Sequence, residues 1–355
     1  MSVSGGSFTA AYYGLYGDGI FDDYEEVFLR KNVQGALFRS AFNPLRWFSG
    51  KSRTEMAVDY YEKNVFKGAT FADMRQKNGP IIVINASDLA GGVRFSFVQE
   101  YFNLLCSDLS SFSVARAVTA SSAVPVLFEP VTVRNHPECG KEQPDWLKTA
   151  HAQAVGNPEL AMVVKGMGTY FDRDNRPYVH FVDGGITDNM GLRALYEIVE
   201  LAGGAKAFTK RGQRTPPRRL VMVSVNASTE NDPEMSRSEE YPSLGETIGA
   251  VSSIQLRRYN VTTTRLMQRS LERWAQELST TERPVEAYFI MLDFDDIHER
   301  ERRAFLNKAP TSFSLTDEQV DALIEAGRDL LRNNAEFRRL LADMKASKVG
   351  VGGDF

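Results

Sequence analysis

The chain is poor in the residues that most often build metal and redox centres, with two cysteines and four histidines among 355 residues. Cys106 and Cys139 make no metal-ligand spacing with those histidines, so no metal and no cofactor are expected. The two thiols are either separately buried or joined as one disulfide, and their spacing leaves both open. Basic charge is not in excess: 42 Lys and Arg stand against 46 Asp and Glu, for a net charge of −4 and a pI near 5.8. Nucleic-acid proteins normally carry a basic face or stripe, so that class is disfavoured. Long apolar runs are missing as well, and no window approaches the roughly 18 residues of a membrane-spanning helix. No secretory leader is read at residue 1, where any signal peptide is expected to be lost with an upstream segment, and no internal repeat is found.

What is present is an ordinary globular composition, 43% hydrophobic and 25% charged, enough for a substantial core. Phe8 to Tyr16 reads as a helix closed by Gly14, Gly17 and Gly19, and residues 20 to 78 read as mostly helical, broken at Asn43-Pro44, with Trp47 and Phe48 packing. Pro80 introduces Ile81 to Asn85, a β-branched run of the kind buried on both faces of a parallel sheet. Arg94 to Phe97 alternates like a half-exposed strand, and Ser113 to Val124 is a small-residue helix stopped by Pro125. Val126 to Val133 reads as extended, Leu160 to Lys165 as a strand and Tyr178 to Val182 as another, ending at Asp183-Gly184-Gly185. A helix over Gly191 to Leu201, a strand over Leu220 to Val225, a long amphipathic stretch over Leu244 to Leu278 and a strand over Ala287 to Leu292 follow. Thr316 with Gln319 makes a capping box before a helix with apolar residues at helical spacing. One domain is expected over 1–346, its C-terminal part (240–346) mainly helical, with a disordered tail over 347–355.

Strands alternating with helices predict an α/β layered fold, in which chemistry collects at the carboxyl ends of strands. Two places qualify. Ser4 lies in Ser2-Val3-Ser4-Gly5-Gly6-Ser7, a β-branched residue, a serine and two glycines just before a helix, which fits a nucleophile elbow. Gly6 fills the second glycine place, where a side chain is expected to crowd the turn; the first glycine of the pattern is replaced by Ser2. Asp183 sits where a β-branched strand runs into two glycines, so a rigid element holds its carboxylate while the chain turns sharply. The alternatives are a flexible N-terminus for the first and a turn-capping aspartate for the second.

Four strings in order, Ser2-Val3-Ser4-Gly5-Gly6-Ser7, Asn85-Ala86-Ser87-Asp88-Leu89, Ala120-Ser121-Ser122-Ala123-Val124-Pro125 and Asp183-Gly184-Gly185 with Asp188-Asn189-Met190-Gly191, resemble the bacterial patatin-like phospholipases. The resemblance is clearest over residues 1 to about 230. It implies a three-layer α/β/α fold with a mostly parallel central sheet, and a Ser-Asp lipid acyl hydrolase. The nucleophile carries over to Ser4, the base to Asp183, one oxyanion donor to Gly5, and the supporting glycines to Gly6, Gly184 and Gly185. The implied partner is a lipid or membrane surface.

The implied chemistry needs no histidine: Asp183 accepts the Ser4 proton as the oxygen attacks an ester, and water later releases the acyl group. An ordinary aspartate, with a pKa of about 3.9, is a weak base at neutral pH, so the site has to raise that value or supply unusually good geometry. The competing arrangement is a triad in the order Ser4, Asp183, His298, although His298 lies in the charged run Asp293 to Arg303, which reads as a solvated face. His180, two residues before Asp183, reads as a core or supporting histidine.

The resemblance also implies an upstream strand and a glycine-rich loop carrying oxyanion amides, which this sequence does not contain. Losing one such donor costs on the order of 100- to 1,000-fold in rate. The sequence is therefore expected to be a fragment of a hydrolase; the alternative is an impaired patatin-fold protein that binds lipid or a partner. Lys210, Arg211, Arg214, Arg218 and Arg219, and Arg265, Arg269 and Arg273 at i+4 spacing, read as lipid head-group contacts or as solvated faces. Phe8, Tyr12, Tyr13 and Phe95 read as an acyl pocket or as core.

Overall fold

The structure is a computed structural model that describes residues 1–36, 51–77, 79–125, 127–140, 142–212, 215, 217–229, 237 and 239–350. Asn43-Pro44, Trp47, Phe48 and Arg214 lie outside the described residues. The architecture is mixed α/β, and the chain divides into two compact units, residues 1–208 with 312–314, and residues 209–311 with 315–355.

The first unit is organised on a five-stranded sheet. Strand β1 is only Ser2–Val3, and Ser4 alone separates it from helix α1, Gly5–Tyr16. Strands β2 (Ile84–Asp88) and β3 (Val93–Ser96) form a hairpin, closed by a turn in which Asp88 Oδ1 accepts the N–H of Ala90 and of Gly91. Helix α2 (Val114–Ser121), strand β4 (Val131–Arg134), helix α3 (Pro158–Gly168), strand β5 (Tyr178–Val182), the single turn α4 (Gly185–Asp188) and helix α5 (Leu192–Leu201) follow. β1 pairs parallel with β2, whereas β3 and β5 pair antiparallel with β2, and β4 antiparallel with β5. Among the described residues, parallel pairing in this unit is thus confined to β1–β2. A short connection such as Leu89 to Gly92 makes a hairpin, and a hairpin is antiparallel by construction.

The register on β2 decides where the site lies. A strand has two edges, and β3 occupies one of them from Asn85 to Asp88. β1 pairs with Ile84 and Asn85, and β5 with Ser87 and Asp88, so the two share the other edge. They run toward one another along it. Continued by one residue, both registers arrive at Ala86, with Ser4 coming from one direction and Asp183 from the other.

Several sequence expectations shift by identifiable physics. Leu160 to Lys165 belongs to helix α3 and is not a strand: Asn157 caps it by accepting the N–H groups of Glu159 and Leu160, and Pro158 fills the first helical position. α3 lies so close to β3 that a Cβ on Gly166 would come within 2.3 Å of Val93 Cγ1. The strand expected from Ile81 begins at Ile84, and Ile81 is 76% exposed. β3 is buried along its whole length rather than half-exposed, because Phe95 packs on Phe181 at 4.5 Å and Arg94 is held in a buried polar network. Of the stretch expected to be extended over Val126 to Val133, Val126 lies outside the described residues and the rest is strand only from Val131. Cys106 and Cys139 form a disulfide across a sequence separation of 33.

In the second unit β6 (Arg219–Asn226) and β7 (Glu286–Asp293) pair parallel through eight residues, and helix α6 (Leu244–Leu278) lies along them. Helices α7 (Asp317–Asn333) and α8 (Ala335–Gly350) pack Leu330, Leu331, Phe337 and Leu340 onto Tyr288, Ile290 and Leu292 of β7. The Thr316 capping box is present, with Gln319 reaching back to the Thr316 N–H. α8 continues to Gly350, into the stretch expected to be a disordered tail, with no proline or earlier glycine to stop it; residues 351–355 lie outside the described residues.

Candidate active site

Ser4 occupies the gap between β1 and α1 with φ 49° and ψ −131°, a backbone conformation that a residue with a Cβ rarely adopts. Such strain, of order 1–3 kcal/mol, persists only where surrounding contacts over-determine it. A serine in the N-cap position ordinarily turns its oxygen inward to accept from the first helical turn. Here the side chain makes no capping bond, and Ser4 Oγ donates to Asp183 Oδ2 at 2.7 Å across 179 residues. The hydroxyl has exchanged a local partner for a distant one.

Asp183 is held at three points. Its N–H donates to Ala123 O (3.0 Å), its Oδ1 accepts the N–H of Gly185 (2.7 Å), and its Oδ2 accepts from Ser4. It is only 7% exposed, and burial pushes its carboxyl above the usual aspartate range, outweighing the opposing pull of the Gly185 and Ser4 hydrogen bonds. Gly184 makes this approach possible, since a Cβ there would sit 2.3 Å from Asn85 O and 2.9 Å from Val3 Cγ1. A Cβ on Gly185 would crowd Asn189 Oδ1 and Asp183 Oδ1 at 2.8 and 3.0 Å.

Gly5 and Gly6 differ from that pair. Both are exposed, and a Cβ on either would meet nothing within 4 Å. The expectation that a side chain at Gly6 would crowd the turn is therefore corrected: its surroundings are open. Gly5 is the first residue of α1, and the first N–H groups of a helix have no intrahelical acceptor. The N–H of Ser4 itself is engaged, donating to Ser121 Oγ at 3.0 Å.

Ser121 and Asn85 are contacts that the sequence showed only as members of motif strings. Ser121 Oγ donates to Asn85 O at 2.6 Å and lies 2.9 Å from Ser7 Oγ. Asn85 Nδ2 donates to Ser2 O, and its Oδ1 accepts from Ser96 and from Arg94. Arg94, buried, is paired with Glu197 on α5. Asp188 Oδ2 accepts the N–H of Ala194 at 2.9 Å, which fixes the start of α5. Burial raises the Asp188 carboxyl to about 6, and its Oδ1 has no hydrogen-bond partner among the described residues.

Of the two histidines weighed from the sequence, His180 is on β5 and His298 belongs to the second unit. His180 is exposed and shares a 2.9 Å contact between its Nδ1 and Thr132 Oγ1, so it is neither core nor a support for Asp183. β5 alternates, and position 180 takes its outer side. His298 is exposed in the second unit. Phe8, Tyr12 and Phe95 are core residues rather than pocket lining, at 0–2% exposure, with Phe8 stacked on Phe28 at 4.5 Å and set edge-on to Tyr61 at 4.8 Å. Arg265, Arg269 and Arg273 are exposed along α6.

A family model described as patatin-like phospholipase matches residues 1–196, more than half of the chain, with Ser4 and Asp183 both inside the match. The chain belongs to the patatin-like phospholipase family. No curated protein and no solved structure matches it. Members of this family are typically lipid hydrolases, and the mixed α/β architecture agrees with the patatin fold. Among the described residues no helix is long and apolar enough to cross a membrane.

Proposed function

We propose that the protein is a lipid acyl hydrolase of phospholipase A or lysophospholipase type, acting through a Ser4–Asp183 dyad. The observation that carries this reading is the 2.7 Å hydrogen bond from Ser4 Oγ to Asp183 Oδ2, made by a serine in a strained turn at a helix N-terminus. Asp183 takes the hydroxyl proton as Ser4 Oγ attacks the ester carbonyl carbon. The carbonyl oxygen gains negative charge, and Gly5 N–H with the positive end of α1 faces it. Collapse expels the alcohol, which recovers the proton from Asp183. Water, activated by the same carboxylate, then attacks the acyl-Ser4 ester and releases the fatty acid.

Two features favour Asp183 as the base. Its raised proton affinity brings it closer to a useful base at neutral pH, and its other oxygen is fixed by Gly185 N–H, which aims Oδ2 at the serine. The exposed Gly5 and Gly6 leave the serine approachable by a substrate presented at a lipid surface. Release of fatty acid from phosphatidylcholine and lysophosphatidylcholine micelles tests the reading. Native full-length protein is expected to release it, and Ser4→Ala and Asp183→Asn to lose roughly 10³- to 10⁴-fold in rate. Folded variants that keep the native rate contradict it.

A further inference from the structure

Ser121 is the last residue of α2 and is completely buried. Its hydroxyl carries one hydrogen and two lone pairs, and the hydrogen and one lone pair are assigned by their neighbours. Asn85 O can only accept, so the hydrogen lies on the 2.6 Å bond to it. A lone pair is then left for the N–H of Ser4 at 3.0 Å, and the other faces Ser7 Oγ at 2.9 Å. The main chain of the same residue reaches the other half of the dyad: Ser121 O accepts the N–H of Gly184 at 3.0 Å, and two residues on, Ala123 O accepts the N–H of Asp183. The end of one helix therefore grips the nucleophile by its amide and the base by the two amides around it.

We propose that Ser121 is the positioning residue of the dyad: its hydroxyl holds Ser4 in the φ 49° conformation while its carbonyl holds the Asp183–Gly184 turn, fixing the Oγ-to-Oδ2 approach. The inference rests on the hydrolase reading above. Without the hydroxyl, the Ser4 N–H loses its partner in a partly buried place and Asn85 O loses this donor in a buried one, so the strained turn keeps only the Ser4 Oγ bond to Asp183 and the Ser7 N–H bond to Ser4 O to hold it against relaxation. Ser4 then swings away from Asp183 while the binding surface for substrate is unaltered. The loss accordingly falls on kcat and not on KM.

The test compares native full-length protein with Ser121→Ala and, as a control for stability alone, Asn157→Ala, which removes the cap of α3. Hydrolysis of p-nitrophenyl butyrate, the rate of inactivation by a fluorophosphonate and the urea midpoint are measured for each. Displacing a reacting group by about 1 Å is worth roughly 100-fold, so Ser121→Ala is expected to lose that much in kcat and in inactivation rate with KM within twofold. Asn157→Ala is expected to lower the urea midpoint comparably and leave kcat within threefold. If Ser121→Ala does not fold, Ser121→Cys, which keeps the volume and weakens the hydrogen bond, is expected to lose at least tenfold in kcat. Ser121→Ala, or in its place Ser121→Cys, with kcat within threefold of native overturns the positioning role. So does a kcat loss no larger than that of Asn157→Ala. A native protein that neither turns over nor reacts with the fluorophosphonate defeats the hydrolase reading and this inference together.

Discussion

Asp183 must be ionised to take a proton from Ser4, and burial works against ionisation. The direction of its shift sets the pH dependence: below the raised value the carboxyl is protonated and cannot accept, and above it the dyad is competent. The acid limb of kcat/KM is expected to centre above the ordinary aspartate value of about 3.9. A limb at or below that value would contradict the assignment of Asp183 as the base. Asp188 behaves differently because its charge serves no proposed step. Folded, it holds its proton up to about 6, and unfolded it releases it near 3.8, so its stabilising share is full below pH 4 and is lost as the pH rises through 6. Asp188→Asn is expected to raise stability at pH 7.5, by up to roughly 3 kcal/mol, and to leave it unchanged at pH 4, as read by urea midpoints. Equal gains at both values would contradict this. At Gly184 the argument is steric: with Asn85 O only 2.3 Å from the added Cβ, Gly184→Ala forces backbone apart and is expected to destabilise by about 1–3 kcal/mol and to impair hydrolysis. Ser4 and Asp183, the proposed dyad, were marked in the sequence by their own neighbours, glycines and a strand end. Ser121 was not, because its role rests on hydrogen bonds to partners 117 and 36 residues away, and short-range patterns do not report such contacts.

Among the elements, those with a strong local signal read correctly. Tyr178–Val182 ends at its glycines, and Thr316 with Gln319 opens α7 as a capping box does. α3 was misread because Leu160 to Lys165 is a short apolar run, for which periodicity cannot separate strand from helix. The deciding signal was Asn157-Pro158 just before it. Asn157→Ala is expected to cost about 1 kcal/mol in urea unfolding, as loss of an N-cap does. The meeting of β1 and β5 head to head along one edge of β2 was not legible at all. It follows from strand direction, which the parallel pairing of β1 and the antiparallel pairing of β5 with β2 set through contacts across 80 residues or more. That arrangement, rather than a row of parallel carboxyl ends, brings the two residues of the dyad together.

At the scale of the whole molecule, the disulfide is the covalent constraint that composition left open. Cys106–Cys139 closes a loop of 33 residues, for which chain entropy gives about 3–4 kcal/mol of stabilisation. A reducing agent, or Cys106→Ala with Cys139→Ala, is expected to lower the thermal midpoint by several degrees, and an unchanged midpoint would show that the bond adds nothing to the folded state. The central claim is that Ser4 is a nucleophile activated by Asp183. Reaction of the full-length protein with a fluorophosphonate, followed by mass mapping of the modified peptide, tests it most directly. The expected result is one adduct per chain, on Ser4, with no adduct over the same interval in folded Asp183→Asn; an adduct on another serine, or none on the folded native protein, would contradict it.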